Sequence, residues 1–384
     1  MEKDSRMIGI LGLGNIGRLI AEDLARTFNG KVVYIVRDKN TVKDLARKNN
    51  AVVRYGDVTK PGTLTKAFNE LNVVIHAVHH EYNIAVMKAC LKCNCNYVDL
   101  GGLYHYTKKQ LKLNRKFKEK NLIAIIGIGS SPGITNVLAG YGAKFLDNVY
   151  KIQILIGNSD FSVYRSESPL SNFYSIQTIL EEFSWEPAVF IKGRTVFVDP
   201  VSGREEYKFP SPVGTKKPQY VIHSEIATLS YTLNSKNVSI KVAFDDDFVE
   251  KIKVLKRLGF LQDKTITVKD KKINVRLALV EILKKLPRPV PEKINQYEII
   301  RVIMDGLKNN KEVRTVLDAK VESVNEYEEK DTAVPASLAA QMIVNGVIKS
   351  QGVYPPESVI PDKEFFEELG RRNIKIFVND RRIN

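Results

Sequence analysis

The chain has 384 residues, 43% of them hydrophobic and 27% charged, which is the balance of a globular protein with room for two domains. Its apolar runs fall well short of the roughly 20 residues that a membrane span requires, so we expect no membrane segment. The net charge of +15 raises nucleic acid as a partner, but basic and acidic residues are interleaved, as in "RKFKEKN" and "EEKD", and we expect no nucleic-acid binding.

The N-terminus "MEKDSRM" leads directly into an apolar strand predicted at 7–11 and leaves no room for a signal peptide, which predicts a cytoplasmic protein. The pattern Gly12-x-Gly14-x-x-Gly17 follows, and apolar residues then recur at helical spacing over 15–27. In such a unit the first glycine permits a sharp turn, the second lets the backbone approach a pyrophosphate, and the third allows close helix packing. Cofactor contacts are therefore predicted at Gly12, Gly14, Asn15, Ile16 and Gly17.

The N-terminal third alternates strands and helices, which is the pattern of a Rossmann-type, doubly wound parallel sheet. Strands are predicted at 7–11, 31–36, 51–55, 72–78, 97–100 and 122–128. Helices are predicted at 15–27, 41–49, 82–93 and 106–120, with another opening at Pro61 and Gly62. Because right-handed crossovers bring every loop that follows a strand to one edge of the sheet, we expect the ligands to bind at that edge.

After about residue 130 the alternation stops and longer strands are predicted. They lie at 151–157, 188–199, 206–209, 236–245 and 264–278. This pattern predicts an α+β middle domain with an open, mostly antiparallel sheet. From about Ala333 an apolar-faced helix follows, and then a proline-rich, helical C-terminal segment.

Three cysteines, Cys90, Cys93 and Cys95, lie in the short stretch "ACLKCNCNYV". Their spacing raises a metal site, but a closed zinc site needs a fourth ligand and usually a second ligand pair. The stretch also suits the end of a helix that runs into a strand, with the thiols as small apolar side chains. We favour this second interpretation and expect no metal site, and thiols without a disulfide framework are typical of a reducing compartment.

Several motifs together resemble the saccharopine dehydrogenase family, in particular its saccharopine reductase and lysine 6-dehydrogenase branch. They occur in the family's order over nearly the whole chain and are "GLGNIGRLIAEDLA", "GDVTKPGTL", "VVIHAV", "NYVDLGG", "GIGSSPGITNVLA", "HSEIATL" and "GVYPPESVIPDKEFFEELGRRNIKIF". The resemblance implies a dinucleotide-binding domain at 1–130 that is completed by 331–384. It also implies that 131–330 carries substrate contacts and dimerisation, so that a homodimer is expected.

The choice between NAD and NADP depends on the end of the second strand, where an acid pairs with the ribose and an arginine accommodates a 2′-phosphate. Val36 holds this position, and Arg37 and Asp38 follow it. Arg37 offers a planar fork of donors to a phosphate, so we predict NADP as the cofactor. A shift of one or two residues would make Asp38 the ribose partner and NAD the cofactor.

Two further loops supply predicted cofactor contacts. Asp57 and Val58 follow the third strand, where such folds hold the adenine, although Asp57 is also placed to cap its own turn. Ala77 and Val78 follow the fourth strand and are small enough for a cofactor to lie along them. His79, next in the chain, is a candidate substrate contact or an exposed loop histidine.

In the family that the chain resembles, hydride passes to or from an imine carbon, so the resemblance implies a site that holds an amino acid and manages an amine proton. Asp99, at the end of the fifth strand, is a candidate catalytic base or ammonium ligand, and capping of its loop is the alternative. Gly101 and Gly102 would then allow close approach of the substrate.

The stretch "GSSPGITN" ends another strand and opens a helix whose N-terminus suits a carboxylate. We predict substrate contacts at Ser131 and Gly133 and cofactor contacts at Pro132 and Asn136.

In the middle domain, His223 and Glu225 lie two residues apart, on one side of the chain if it is extended. They are candidate catalytic residues for proton transfer, with a hydrogen-bonded core pair as the alternative. Arg165 is a candidate clamp for a substrate carboxylate, or else a surface charge.

The resemblance therefore predicts an NADP-dependent oxidoreductase, with NAD as the alternative cofactor, that acts on the C–N bond of a lysine-like amino acid. The expected types are saccharopine dehydrogenase and lysine 6-dehydrogenase. Two alternatives stay open: reductive condensation of an aldehyde with an amine, as carboxyspermidine-forming relatives perform it, and a non-catalytic NADP(H)-binding sensor.

Overall fold

The computed structural model describes residues 5–165, 175–287, 289–324 and 329–384. Its strands are β1 Met7–Leu11, β2 Lys31–Val36, β3 Val52–Tyr55, β4 Val73–His76, β5 Asn96–Asp99, β6 Ile123–Ile125, β7 Asn148–Asp160, β8 Val163–Tyr164, β9 Ala188–Ile191, β10 Arg194–Phe197, β11 Tyr207–Lys208, β12 Thr215–Lys216, β13 Gln219–Tyr220, β14 Asn237–Val242, β15 Thr265–Val268, β16 Lys271–Asn274, β17 Pro291–Lys293, β18 Asn295–Lys308, β19 Lys311–Val324, β20 Gly352–Tyr354, β21 Ile374–Val378 and β22 Arg381–Arg382.

The helices are α1 Asn15–Thr27, α2 Lys43–Lys48, α3 Pro61–Ala67, α4 Asn83–Cys93, α5 Leu103–Leu111, α6 Asn114–Glu119, α7 Ile134–Ala143, α8 Ile176–Glu182, α9 Leu229–Thr232, α10 Asp246–Arg257, α11 Val275–Leu283, α12 Lys330–Val344, α13 Pro356–Val359 and α14 Asp362–Arg371. Short 3₁₀ turns lie at Lys39–Val42, His80–Tyr82 and Glu225–Ala227.

The first sheet consists of parallel strands in the order β20-β6-β5-β4-β1-β2-β3. Its inner strands are apolar and buried, because helices cover both faces of a parallel sheet. The doubly wound α/β architecture predicted from the sequence is thereby confirmed, and β1, β2 and α1 have the predicted bounds. The strand order reverses between β1 and β4, which creates a crevice at the carboxyl ends of these strands.

The second sheet has the order β10-β9-β14-β7-β18-β19-β21-β22, with β13 paired to β14. The β14–β7 pair is parallel and the other pairs are antiparallel, which confirms the mostly antiparallel sheet. Helix α7 packs on the long β18–β19 hairpin, where a Cβ on Gly142 would lie 2.6 Å from Met304 Sδ. This contact packs the end of α7 against the second sheet.

The C-terminal segment contributes to both sheets. β20 pairs with β6 at the edge of the first sheet, whereas β21 pairs with β19 in the second. Buried Asp23 of α1 ties the segment down by accepting hydrogen bonds from Ser337 Oγ (2.6 Å) and Arg372 Nε (2.7 Å). The domain boundaries at 130 and 330 stay a prediction.

Four helices of the second region, α8, α9, α10 and α11, have no counterpart among the predicted elements. The strand predicted at 264–278 is a hairpin that ends at Asn274, because the Asn274 side chain accepts a hydrogen bond from Leu277 N and caps α11. In the same way the Ser175 side chain caps α8 by accepting from Thr178 N. These capping hydrogen bonds stabilise the first turns of α8 and α11, so the two segments form helices and not strands.

The three cysteines carry free thiols at the junction of α4 and β5. Cys90 and Cys95 are buried in the apolar core, and burial raises the pKa of the Cys90 thiol well above its ordinary value. These surroundings favour the interpretation as apolar side chains. Within the described residues, every helix is too short or too polar to cross a membrane.

Candidate functional site

The turn between β1 and α1 is shaped to receive a phosphate. Gly12 has a φ of +91°, and a Cβ on Gly17 would lie 2.0 Å from the Gly12 carbonyl oxygen, so both positions require glycine. Gly14 faces open space, with no atom within 4 Å of an added Cβ, and it caps α1 without a side-chain hydrogen bond. The first N–H groups of α1 and their partial positive charge therefore face an open cradle that suits a dinucleotide pyrophosphate.

Ala77 and Val78 form the wall opposite this turn. A Cβ on Gly12 would lie 2.5 Å from Val78 Cγ2 and 2.9 Å from the Ala77 carbonyl oxygen. Asn15 and Ile16 form the first turn of α1. The structure thus brings together the residues that were predicted to contact a pyrophosphate.

The adenosine end of the crevice carries an exposed arginine. Arg37 is exposed after β2, whereas Asp38 Oδ1 accepts a hydrogen bond from Asn40 N (2.9 Å) and caps the following 3₁₀ turn. Asp57 Oδ1 accepts hydrogen bonds from Thr59 Oγ1 (2.7 Å) and Thr59 N (2.9 Å), which lower the pKa of the Asp57 carboxyl. Asp57 therefore caps its own turn, with Val58 packed against the core, and Arg37 remains as a cation at the position expected for a 2′-phosphate.

Asp99 lies at the end of β5 and is fully buried. Its Oδ1 accepts from Gly127 N (2.7 Å) and Gly101 N (2.9 Å), and its Oδ2 accepts from Tyr97 Oη (2.8 Å) and from Gln110 Nε2. Burial raises the pKa of this carboxyl in spite of the four donors. The contacts match the loop-capping alternative better than a catalytic base or an ammonium ligand.

The loop between β6 and α7 is anchored by Asn136. Its Oδ1 accepts from Gly133 N (3.0 Å), and its Nδ2 donates to Glu357 Oε2 (2.8 Å). Gly133 has a φ of +133°, and a Cβ there would lie 2.0 Å from the Gly129 carbonyl oxygen. Both polar atoms of Asn136 are thus engaged within the protein, which matches a loop anchor more closely than the predicted cofactor contact.

Pro132 packs against the neighbouring loop, since a Cβ on Gly101 would lie 2.9 Å from Pro132 Cγ. Gly102 N donates to Ser224 Oγ (3.3 Å) of the second region. The loops after β5 and β6 therefore meet the segment that carries His223 and Glu225.

His223 and Glu225 form a buried pair. His223 Nδ1 lies 2.9 Å from Glu225 Oε2, while Glu225 Oε1 accepts from Ser131 Oγ (2.5 Å) and Thr135 Oγ1 (2.8 Å). Burial alone would lower the pKa of His223, but Glu225 and Glu182 raise it above its ordinary value. Burial would raise the pKa of Glu225, but His223 lowers it, so each partner favours the charged form of the other.

Since Glu225 is a carboxylate that can only accept, Nδ1 of His223 carries a proton and Nε2 is the atom that can exchange one. Nε2 lies 3.8 Å from Glu182 Oε1, beyond hydrogen-bond distance. The predicted catalytic pair is thus arranged for proton transfer at Nε2.

Two buried carboxylates that the sequence analysis missed border this pair. Glu181 and Glu182 end α8, and each is 2% exposed. Glu181 Oε2 lies 3.1 Å from His80 Nε2 and 3.4 Å from His79 Nε2. His79 therefore lies at the site, and its ring faces the carboxylate of Glu181. The contact of His79 with a substrate stays a prediction.

Aromatic rings surround the acidic pair. His80 lies 4.8 Å from Tyr106 and 6.4 Å from Trp185 between ring centroids, and His105 stacks on Phe197 at 5.7 Å. Rings of this kind exclude water and cover methylene chains. The pocket is thus lined by buried carboxylates, imidazoles and aromatic rings, and the Arg276 guanidinium lies 5.8 Å from the centroid of the Trp185 ring.

Arg165 stands apart from these groups. It is exposed, and its backbone N–H donates to the Val290 carbonyl oxygen. Among the contacts within the described residues, none joins the Arg165 side chain to the pocket. In the sequence, the one indication of Glu181 and Glu182 as site residues is the pair "EE" of "EEFSWEP", which lies close to the chain's single tryptophan.

Comparison with known proteins places both parts of the chain. Residues 8–125 match the saccharopine dehydrogenase NADP binding domain, and residues 129–374 match the saccharopine dehydrogenase C-terminal domain. The yeast saccharopine dehydrogenase (L-Glu forming) of Saccharomyces cerevisiae, in its apo form, has the same fold, with a TM-score of 0.75 at 16% identity over 99% of this chain and 100% of that one.

Two curated relatives match most of the chain. The carboxynorspermidine synthase of Vibrio alginolyticus is 24% identical over 354 residues, which cover 86% of this chain and 83% of the relative. The carboxyaminopropylagmatine dehydrogenase of Synechocystis sp. is 23% identical over 310 residues, which cover 76% of this chain and 75% of the relative.

Proposed function

The chain belongs to the saccharopine dehydrogenase family, as an NAD(P)-dependent dehydrogenase that acts on C–N bonds, and on that premise we propose that it joins a primary amine to an amino-acid aldehyde by reductive condensation. The aldehyde carbonyl and the amine condense to an imine with loss of water. Hydride then reaches the imine carbon and a proton reaches the nitrogen, which gives a secondary amine. This was the alternative in the sequence analysis, and the relatives support it better than oxidation of a lysine-like amino acid.

The observation that carries the proposal is the pair of buried carboxylates Glu181 and Glu182 in an aromatic pocket. An anionic pocket attracts a substrate with two or more ammonium groups, because buried carboxylates gain most from a cationic partner. Tyr106 and Trp185 border the pocket and would cover the methylene chain between those groups. A diamine such as 1,3-diaminopropane, or agmatine, has this form.

The bound cofactor supplies the hydride, and the chain's own residues position it and handle the proton. The N–H groups at the start of α1 would hold the pyrophosphate, and Arg37 would hold a 2′-phosphate, so we propose NADPH as the reductant. Protonated His223, kept charged by Glu225, donates the proton from Nε2 to the substrate nitrogen.

The test uses the secondary amines in the oxidative direction at alkaline pH, with NADP or NAD. Carboxynorspermidine, carboxyspermidine and carboxyaminopropylagmatine are compared with lysine and saccharopine by the rate of reduced-cofactor formation. The proposal expects a rate with one of the first three that exceeds the rates with lysine and saccharopine. A higher rate with lysine or saccharopine would restore the lysine-type function, and tight NADPH binding without turnover of any compound would indicate a sensor.

Arg37→Ala tests the choice of cofactor. Loss of charge-assisted hydrogen bonds to a 2′-phosphate should raise KM for NADP about 10- to 100-fold and leave KM for NAD nearly unchanged. Arg47→Ala, which removes an exposed arginine of α2, is the control. An equal effect on NADP and NAD would contradict the assignment.

A further inference from the structure

His79, His80 and Glu181 bring three metal-binding side chains to one point. One ligand atom from each side chain, a ring nitrogen or a carboxylate oxygen, lies within 4.8 Å of the other two. Imidazole is the commonest protein ligand for transition metals.

The distances agree with tetrahedral coordination. Metal–ligand bonds of about 2.0–2.2 Å at tetrahedral angles separate the ligand atoms by roughly 3.3–3.5 Å. The two Nε2–Oε2 distances in the cluster are 3.1 Å and 3.4 Å.

Hydrogen bonding does not account for this approach. His79 Nε2, His80 Nε2 and Glu181 Oε2 are all buried, and none forms a hydrogen bond of acceptable geometry within the described residues. Buried polar atoms are normally paired. A shared metal ion would give all three atoms a partner.

The donor set suits a divalent cation, since one carboxylate oxygen and two imidazole nitrogens are ligands that Zn²⁺ takes. His79 Nδ1 accepts a hydrogen bond from Glu81 N (3.4 Å), and Glu81 Oε1 lies 3.5 Å from the same nitrogen, where it could accept the ring N–H of a metal-bound histidine.

We propose that His79, His80 and Glu181 bind a divalent transition-metal ion of the Zn²⁺ class, with the fourth coordination position left to water. This departs from the expectation of no metal site. A consequence that rests on the proposed function is that the ion competes with the cationic amine for Glu181.

The direct test is titration of the chelator-treated, full-length protein with Co²⁺ and with Zn²⁺ in the absence of substrates. We expect one ion per chain, measured by calorimetry, and visible absorption bands of tetrahedral Co²⁺. His80→Asn should weaken binding at least about 100-fold, whereas His80→Cys should retain it because a thiolate replaces the imidazole as a ligand. His105→Asn, a nearby histidine outside the cluster, is the control and should bind as the parent does.

Thermal unfolding of each variant establishes that it is folded. Absence of stoichiometric binding, or equal binding by His80→Asn and the parent, would overturn the proposal. Equal loss in His80→Asn and His80→Cys, with both folded, would also overturn it. This titration needs no turnover, so its result does not depend on the proposed reaction. If the proposed reaction is also right, Zn²⁺ should inhibit it competitively with the amine.

Discussion

At the scale of single residues, the proposed proton donor is set by one buried pair. His223 keeps its proton because Glu225 lies 2.9 Å away, although burial alone would favour the neutral ring. A histidine whose pKa is raised is protonated below that pKa and loses the proton as the pH rises through it. Reductive activity should therefore fall on the alkaline side of the raised His223 pKa.

Glu225→Gln tests this assignment. Without the carboxylate, burial lowers the pKa of His223, so the alkaline limb of kcat/KM should move to lower pH. The pH profile of the reductive reaction measures this shift, and Glu186→Gln, at an exposed carboxylate, is the control. An unchanged limb would show that His223 is not the titrating group.

Asp99→Ala should act on stability more than on chemistry. The substitution leaves the N–H groups of Gly101 and Gly127 without their acceptor, and each buried unpaired group costs about 1–3 kcal/mol. We expect the free energy of unfolding, measured in urea, to fall by about 3 kcal/mol or more.

Asp99→Asn is the matched variant, because it retains a carbonyl oxygen for both glycines and should lose less stability. If Asp99→Asn were as stable as the parent but inactive, the catalytic alternative for Asp99 would be right.

At the scale of elements, α1 is the clearest case in which sequence determines structure. The six residues from Gly12 to Gly17 fix the turn and the helix start, and Gly14 and Gly17 act differently within this segment. A Cβ on Gly17 meets the Gly12 carbonyl oxygen at 2.0 Å, whereas a Cβ on Gly14 meets no atom within 4 Å.

Gly14→Ala and Gly17→Ala therefore form a matched pair. Gly14→Ala should change the free energy of unfolding by less than about 0.5 kcal/mol. It should weaken NADPH binding at least about tenfold, through loss of one phosphate contact. Gly17→Ala should lower both stability and binding, because α1 must move. Fluorescence titration and urea unfolding measure the two effects, and equal destabilisation by both variants would contradict this account of the turn.

The elements also show what the sequence could and could not predict. α1, β1 and β2 were predicted with their bounds because local signals, glycines and apolar periodicity, agree with the final contacts. α8 has only seven residues; Glu181 lies against imidazoles from a loop about 100 positions away, and Glu182 lies near His223 of another segment. Glu181 and Glu182 therefore became site residues only through a long-range contact that periodicity does not encode.

At the scale of the whole molecule, the two sheets meet at a half-buried acid. Glu298 of β18 accepts a hydrogen bond from Ser130 Oγ (3.3 Å). Burial, reinforced by Asp331 at the start of α12, raises the pKa of Glu298 well above its ordinary value. The folded state therefore binds the proton of the Glu298 carboxyl more tightly than the unfolded state does. The resulting contribution to the free energy of unfolding is complete below about pH 4.5 and is lost as the pH rises towards the raised pKa.

Glu298→Gln should thus raise the melting temperature at pH 8, by about 2 °C or more, and change it little at pH 4. Differential scanning calorimetry at the two pH values measures the effect. Glu292→Gln, an exposed carboxylate of β17, is the control. An equal change at both pH values would exclude titration of Glu298 as the cause.

The homodimer expected from the family resemblance stays a prediction, which the particle mass in solution would test.

The division of the last residues between two sheets has a consequence for synthesis. A ribosome releases the chain from its N-terminus, and domains generally fold in that order. Here β6 and β19 gain their outer neighbours only when β20 and β21 emerge, so a nascent chain presents two unfinished sheet edges at once. Exposed edges pair readily with other chains. Translation that stops before Gly352 therefore yields a product prone to aggregation. The final strands complete both sheets in one late step.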